Sequence, residues 1–502
     1  RRQRQMCIRD SIYLICFISA GFSACSLLEL EPTTSWSTEN TPKEESHLYG
    51  ILYGGYNTLQ SDLSINFLIY GEMRGDAFYN NAFNVNTDKV VNNSLDNNIS
   101  QASWYNYYRA IKQANVVIKF TPQVLEAGGI STEKANDVMG QAYCLRAFAY
   151  FWIIRIWGDA PLVTEPYMDS NDNFDRPRTS VAEIIKQIHS DLENAAKMID
   201  KNSASRTTFT QTAAYAIDAH VYAWEHKYEK TISMADKVLA NTGYTLANLY
   251  DEKYTGVTDN PKDKNFKAFV QASEYAQIFN AGRSKESIFE LASSVADGDD
   301  QKNLTSYLSG TYPILRPRTR FGEAIDTEGS SWRSAAIHEA VSGKYKVTKF
   351  TIGFDYTADS RNIVMLRLAD IILLKAEAIA NQEDTDENRK AIMKLVNQIR
   401  RRAAGSGYEI PEEQFLNREE YDQEGIREIV LNERRYELAY EGHRWFDLIR
   451  TGKVFEAVKN RGNDIGEDES PAIELHPKAL VWPIHLNELR RSKLIEQNEY
   501  YK

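Results

Sequence analysis

The sequence predicts a mostly α-helical fold, a stack of tetratricopeptide-like helix pairs carrying a loop-rich, irregular lobe that faces a ligand. Three observations lead there. Apolar residues recur at three- and four-residue spacing through several long segments, which gives each helix one buried stripe. Helical segments between residues 180 and 241 follow one another as pairs of about 34 residues with short turns, a repeat that buries its apolar faces only against neighbours. Residues 247–348 lose that stripe and fill with Tyr, Ser, Gly, Asp and Asn, as long loops do.

The elements follow in order. Residues 104–120 place Trp104, Tyr107, Tyr108, Ile111, Ala114, Asn115 and Ile118 on one helical face. Residues 138–157 do the same with Ala142, Leu145, Ala149, Trp152, Ile153 and Ile156, and Gly158-Asp159-Ala160-Pro161 ends that helix. Ser180 with Glu183 three residues on reads as a capping box, opening a helix to about Met198. Helices over 210–226 and 228–241 come next, with Ala213, Ala214, Ala216, Ala219 and Ala223 permitting close approach. Within the loop-rich stretch, 288–291 is a short strand. Helices return at 364–381, 389–404 and 426–448, and the tail from Trp482 is extended and turn-rich.

Composition narrows the function classes. Hydrophobic residues are 42% and charged residues 26%, ordinary for a soluble globular protein. The formal net charge is −11. Without residues 1–24, which hold four Arg and one Asp, 55 basic residues face 69 acidic ones, a net −14. That balance argues against a nucleic-acid partner. Tyr, with 29 copies, leads the aromatics and suits half-exposed positions, although most aromatics in a chain this size pack the core.

The beginning of the chain points to a compartment. Arg1, Arg2, Arg4 and Arg9 precede an apolar run at 12–22, followed by Ser23-Ala24-Cys25. A basic start, a short apolar stretch and small residues at the cut describe a secretory signal over 1–24, too short to span a bilayer. Cys25 resembles the acylated cysteine of bacterial lipoproteins, with Phe22 standing where an aliphatic residue is usual. Acylation there would anchor the protein to a membrane through several chains. Residues 25–42, Ser- and Thr-rich, read as the tether. Met6-Cys7-Ile8-Arg9-Asp10 resembles the translated end of a sequencing-library transposon, which would make roughly the first ten residues foreign and leave the argument from Cys25 intact. Cys7 and Cys16 leave with the signal and Cys25 is acylated, so Cys144 has no disulfide partner.

Six motifs in order resemble the SusD/RagB family of Bacteroidetes outer-membrane lipoproteins. They are Trp104-Tyr-x-x-Tyr108-x-x-Ile111-x-x-Ala114-Asn115; Gln141 through Arg146-Ala147-Phe148 to Trp157-Gly158-Asp159-Ala160-Pro161-Leu162; and Met365-Leu-Arg367-Leu-Ala-Asp370 to Ala376-Glu377-Ala378. Asn397-Gln-Ile399-Arg400-Arg-Arg402-Ala403 follows, then Glu433-Arg434 to Glu437, Glu441-Gly442-x-Arg444 and Asp447-Leu448, and finally Trp482-Pro483-Ile484 with Gln497-Asn498. His485 departs from the family, where a Pro is usual. The resemblance implies an N-terminal SusD-like region over 43–240, a loop-rich insertion over 241–350 and a C-terminal RagB/SusD region over 351–502. It implies an outer-membrane protein that binds a glycan or other nutrient and delivers it to a SusC-like TonB-dependent transporter. From the residues alone, Arg367 with Asp370 and Glu441 with Arg444 read as charges on apolar helices that need buried partners, an ion-pair network locking helix to helix.

Two segments could supply a sugar-binding surface. Residues 76–84 interleave aromatics with amides and offer Phe78, Tyr79, Asn81 and Phe83; residues 305–332 offer Tyr307, Tyr312, Arg320 and Trp332. Each of these aromatics has the alternative of pinning its own loop. Nothing in the motifs calls for catalysis, a cofactor or a metal. There is no Gly-x-Ser-x-Gly, His-Glu-x-x-His or phosphate-binding loop, and His220 and His226 do not share a helical face. A helical-repeat adaptor binding only proteins and, less well supported, a glycan hydrolase are the competing readings.

Overall fold

A computed structural model describes residues 41–82, 84–168, 175–254, 256, 258–280, 282–293, 302–310, 312–350, 361–461 and 473–502. Its main helices are α1 (Glu45–Gly71), α2 (Tyr105–Glu126), α3 (Thr132–Trp157), α4 (Val181–Met198), α5 (Gln211–Trp224), α6 (Tyr228–Leu239), α7 (Leu368–Ala380), α8 (Asp386–Ala404), α9 (Gln423–Glu437) and α10 (Arg444–Arg450). Three two-stranded antiparallel ribbons complete it: β1 (Phe78–Asn80) with β3 (Leu315–Pro317), β2 (Ser287–Leu291) with β6 (Ile363–Arg367), and β4 (His338–Val341) with β5 (Lys344–Val347). Lys43–Pro166 and Asn173–Lys502 make one compact unit; Arg1–Pro42 with Tyr167–Asp172 make another, of which only residues 41–42 and 167–168 are described.

The helices stack in chain order, α1 on α2, α2 on α3, α3 on α4, α4 on α5, α5 on α6, and α7 on both α6 and α8. This is the expected helix-pair scaffold. Between α6 and α7 the chain leaves the stack, builds the irregular lobe over residues 240–362, and returns against the helix it left. The lobe is thus an insertion between two consecutive repeats.

Local chemistry explains the ends. Ser131, Ser180, Thr210 and Thr385 each accept a hydrogen bond from a backbone N–H three residues on, capping α3, α4, α5 and α8. Gly158, at φ +75°, ends α3. Ser342 and Gly343, both at positive φ, form the tight turn joining β4 to β5. The five alanines expected to allow close packing on α5 are all buried. Arg146 on α3 grips Asp191 on α4 through two bonds of 2.8 and 2.7 Å and donates to Asn115 Oδ1 on α2 at 2.7 Å, so one motif side chain joins three helices.

Three expectations need correction, and one helix is additional. The 27-residue helix α1 is not among the expected elements; Leu48, Leu52, Tyr56, Leu59, Leu63, Phe67 and Tyr70 form its buried stripe, and Gly50, Tyr53, Asn57 and Ser61 its exposed edge. The helix expected over 364–381 begins as strand β6, because residues 363–367 pair with β2 before the helical turns start at Leu368. The helix expected over 426–448 breaks at 438–443, where Tyr440 and Gly442 take φ of +70° and +81°. The tail contains a short helix, Leu486–Arg491, and the loop-rich stretch holds several, including Lys302–Leu308, Thr319–Thr327 and Ser331–Ile337.

Candidate functional site

The anticipated ion-pair network exists, with a different geometry. Arg367 stands at the end of β6 and Glu441 in the turn after α9, so neither lies on a helix. Arg367 donates to Glu441 twice at 2.7 Å, to the Glu286 and Glu437 carboxylates at 2.6 Å each, and to the Glu437 carbonyl at 2.7 Å. Arg402 and Arg333 share Glu437, Arg333 also holds Glu433, and Lys349 caps Glu441. Four buried cations thereby face four buried carboxylates. Beside them Arg434 bridges Asp370 and Asp447, and Arg450 bridges Asp447 and Glu377. Burial opposes ionisation of Glu437, Glu441 and Asp447, yet the neighbouring guanidiniums outweigh it and hold all three below the usual carboxylate range, Asp447 at about 2. Every group is spent on another, so the network is a clamp between the lobe and the stack.

Gly442 is needed in that clamp for closeness as well as for its φ. A Cβ there would meet the Phe67 carbonyl oxygen at 2.7 Å, and one on Gly71 would overlap the Gly442 backbone. The Gly442 N–H donates to Glu72 at 3.0 Å. Burial raises the Glu72 carboxyl to about 8, the Gly442 bond opposing and the nearby Asp76 charge assisting. Asp76 takes two bonds from Arg444, at 3.0 and 2.8 Å. Burial resists its ionisation, but the Arg444 charge prevails and holds the carboxyl well below its ordinary range. This anchor fixes the chain immediately before β1.

The ribbon of β1 and β3 then brings the two sequence-selected segments side by side. Phe78 pairs with Pro317, Tyr79 with Arg316 and Asn80 with Leu315. The pairing continues as Asn81 N–H to the Ile314 carbonyl at 2.8 Å, and Asn81 Nδ2 to the Pro313 carbonyl at 2.9 Å. Among the described residues the Asn81 Oδ1 accepts no hydrogen bond. Below the ribbon Arg318 is buried and donates to the Arg461 carbonyl, while Arg461 donates to the carbonyls of Arg74 and Gly75. Burial lowers Arg461 to about 9 and Arg74 to about 10.

The candidate residues divide by exposure. Phe78 is fully buried against Tyr440, 5.3 Å between ring centres, and Tyr79 is buried at 8% exposure. Their rings are spent on packing. Tyr312 is 85% exposed at the ribbon end, and Asn84 and Val85 are exposed nearby in sequence. Asn84 caps the helix Val85–Val91 through Thr87 N–H. Tyr307 is half-buried on the helix Lys302–Leu308. Arg320 is exposed and donates to the Asn460 carbonyl at 2.9 Å. Trp332 is 4% exposed, enclosed by Tyr250 and Phe266 at 5.0 Å, Tyr254 at 5.8 Å and Phe269 at 6.1 Å. It forms a cluster with residues that the sequence did not single out. Phe83 and Cys25 lie outside the described residues. Cys144 is buried and unpaired. The large open clefts are elsewhere: one of about 780 Å³ opens beneath Tyr49 and Tyr53, two residues on the helix that sequence reasoning missed.

Comparison with known proteins places this architecture. A family model described as "SusD family" matches residues 317–501, and one described as "Starch-binding associating with outer membrane" matches residues 28–223. A SusD-like protein of Formosa agariphila is 28% identical across 98% of this chain and 99% of its own length. A SusD superfamily protein of Bacteroides thetaiotaomicron superposes with a TM-score of 0.71 at 22% identity, covering 92% of this chain and 99% of that one. A laminarin-binding SusD-like protein does so with a TM-score of 0.69 at 20% identity over 92% of this chain and all of its own. At these identities the structural likeness carries the fold, and the two family models, which between them match more than half of the sequence, carry the membership: the chain belongs to the SusD/RagB family.

Proposed function

We propose that this protein captures a glycan at the free end of the β1–β3 ribbon and hands it to a SusC-like TonB-dependent transporter, while held at the outer membrane by acyl chains on Cys25. One observation supports the place above others. Two segments more than 200 residues apart, one chosen for aromatics beside amides and the other for aromatics and arginines, are paired strand to strand, and their junction presents an exposed Tyr312 next to an Asn81 with an unused acceptor. A Tyr face suits the apolar C–H surface of a pyranose, and an amide supplies both a donor and an acceptor for hydroxyls. Phe78, Tyr79 and the buried arginines hold the ribbon stiff, which lowers the ordering cost of binding. Family membership supports a binding role, and the relative named as laminarin-binding supports glycans as the ligand class.

The test is affinity electrophoresis in gels containing laminarin or starch, followed by a glycan array. Retention without hydrolysis is expected, with Tyr312→Ala weakening it about tenfold, the loss of one exposed aromatic contact. Turnover of the retained glycan would make the protein an enzyme. Co-purification with a barrel and no retention of any glycan would make it an adaptor.

A further inference from the structure

We propose that the cleft beneath Tyr49 and Tyr53 is a second binding subsite, selective for a neutral saccharide and separate from the ribbon. It rests on the same reading of saccharides as the ligand class, but on different residues. Tyr49 and Tyr53 sit one turn apart on α1 with ring centres 5.8 Å apart, and Tyr53 continues the ladder to buried Tyr56 at 6.5 Å. The outer rung is open: Tyr53 is 50% exposed, a large aromatic surface left to solvent on the outer edge of the helix, between exposed Gly50 and Asn57. A ring standing on such a ladder is held from below and cannot fold away.

The polar side of the cleft is built with equal care. The Phe209 N–H donates to Tyr56 Oη at 2.8 Å, and Tyr56 donates to Gln141 Oε1 at 3.1 Å. Gln141 Nε2 and Tyr49 Oη then both donate to the same oxygen of Asp137, Oδ2, at 2.7 and 2.9 Å. Asp137 is therefore fixed from two sides, and among the described residues its Oδ1 accepts nothing. A half-buried carboxylate with one oxygen locked and the other available is an acceptor for a pair of sugar hydroxyls. Lys134 Nζ, 2.5 Å from Glu45, keeps further N–H groups for donation. The volume of about 780 Å³ lies within the range of ligand pockets and accommodates several pyranose units. Charge sets the selectivity. Glu44, Glu45 and Asp137 line the cleft against the single lysine, so uronic acids and sulfated sugars are repelled.

The experiment is calorimetric titration of the full chain with laminaritriose and with maltotriose, short enough that one molecule cannot bridge two sites. Two independent sets of sites are expected for the glucan that the chain retains. Tyr53→Ala, a change at a half-exposed ring, and the isosteric Asp137→Asn should each weaken one set at least tenfold. Both should leave the Tyr312-dependent set unchanged. A single set of sites indifferent to both variants overturns the cleft as a saccharide site, the result expected if a polypeptide segment of a partner fills it. A single set abolished by Tyr53→Ala and indifferent to Tyr312→Ala would keep the cleft and remove the ribbon. Absence of binding to either trisaccharide and to every glycan of the array would overturn both.

Discussion

Replacing Arg367 by Met tests whether the buried charges hold the lobe to the stack. The side chain makes five hydrogen bonds, four to carboxylate oxygens and one to a carbonyl. Without it Glu437 keeps Arg402 and Arg333, and Glu441 keeps Lys349, but Glu286 keeps only the Ala247 N–H at 2.8 Å and Arg402 at 4.0 Å. Removing one partner of a buried pair costs about 3–5 kcal/mol, and a near-orphaned Glu286 puts this case at about 4 kcal/mol. For a unit this large, that is a fall in Tm of roughly 4 °C. The acid limb gives a second reading. Glu437 and Glu441 titrate below their unfolded range, so the stability they confer is complete above about pH 4.3 and is lost as pH falls through their folded values. The gap between wild type and variant should therefore narrow below about pH 4. Urea unfolding by circular dichroism at pH 7 and at about pH 3 measures both. A loss under about 1 kcal/mol at neutral pH, or a gap that does not close in acid, would refute the clamp. Adding Glu286→Gln to Arg367→Met should recover part of the loss by removing the stranded charge.

Three further outcomes are expected. Gly442→Ala should cost about 3 kcal/mol in urea unfolding, because it combines a φ of +81° with a Cβ 2.7 Å from the Phe67 carbonyl. Glu72 keeps its proton in the fold up to about pH 8 and loses it near 4.5 when unfolded, so stability falls as pH rises across that window; Glu72→Gln should flatten the decline in urea midpoint between pH 5 and pH 8, by about 3 kcal/mol at pH 7. Cys25→Ser should move the protein from the membrane fraction to the soluble fraction on immunoblotting, and persistence in the membrane would contradict acylation.

The repeat scaffold was legible where helices keep a solvent-facing side, as α2, α4, α5 and α6 do, which leaves the three-and-four spacing visible in the letters. Helix α1 was not, although Leu48, Leu52, Tyr56, Leu59, Leu63, Phe67 and Tyr70 recur at three- and four-residue spacing and are buried: its outer side carries Tyr49 and Tyr53 while Thr58 and Gln60 are buried, so the two faces contrast weakly in the letters. A stripe is detectable only where the opposite face is clearly polar. The join of β6 to α7 was hidden for a related reason. Residues 363–374 are buried without interruption, and the change from strand to helix is imposed by β2, some 75 residues away in sequence. Arg367, Asp370 and Glu441 could be read as needing partners, whereas Glu286, Arg333, Lys349 and Arg402 could not be named, since pairing across the lobe is a property of the fold.

The same division governs the two proposed binding surfaces. Residues 76–84 and 305–332 stood out by composition because their aromatics follow no long helical stripe, and the ribbon then paired 78–80 of one with 315–317 of the other. Tyr49 and Tyr53 are one turn apart on a helix, where aromatic spacing normally signals packing, and only the solvent on Tyr53 distinguishes them from the core ladder below. A binding surface made from a scaffold helix is therefore invisible to any reading that assigns recognition to loops. It is also the stiffer of the two, because Asp137 and Gln141 project from α3, itself clamped by Arg146 to α2 and α4. If both surfaces take sugar, the ribbon, carried on the inserted lobe, is the one free to vary with the glycan, and the cleft, tied to the repeats, is the one constrained by the fold.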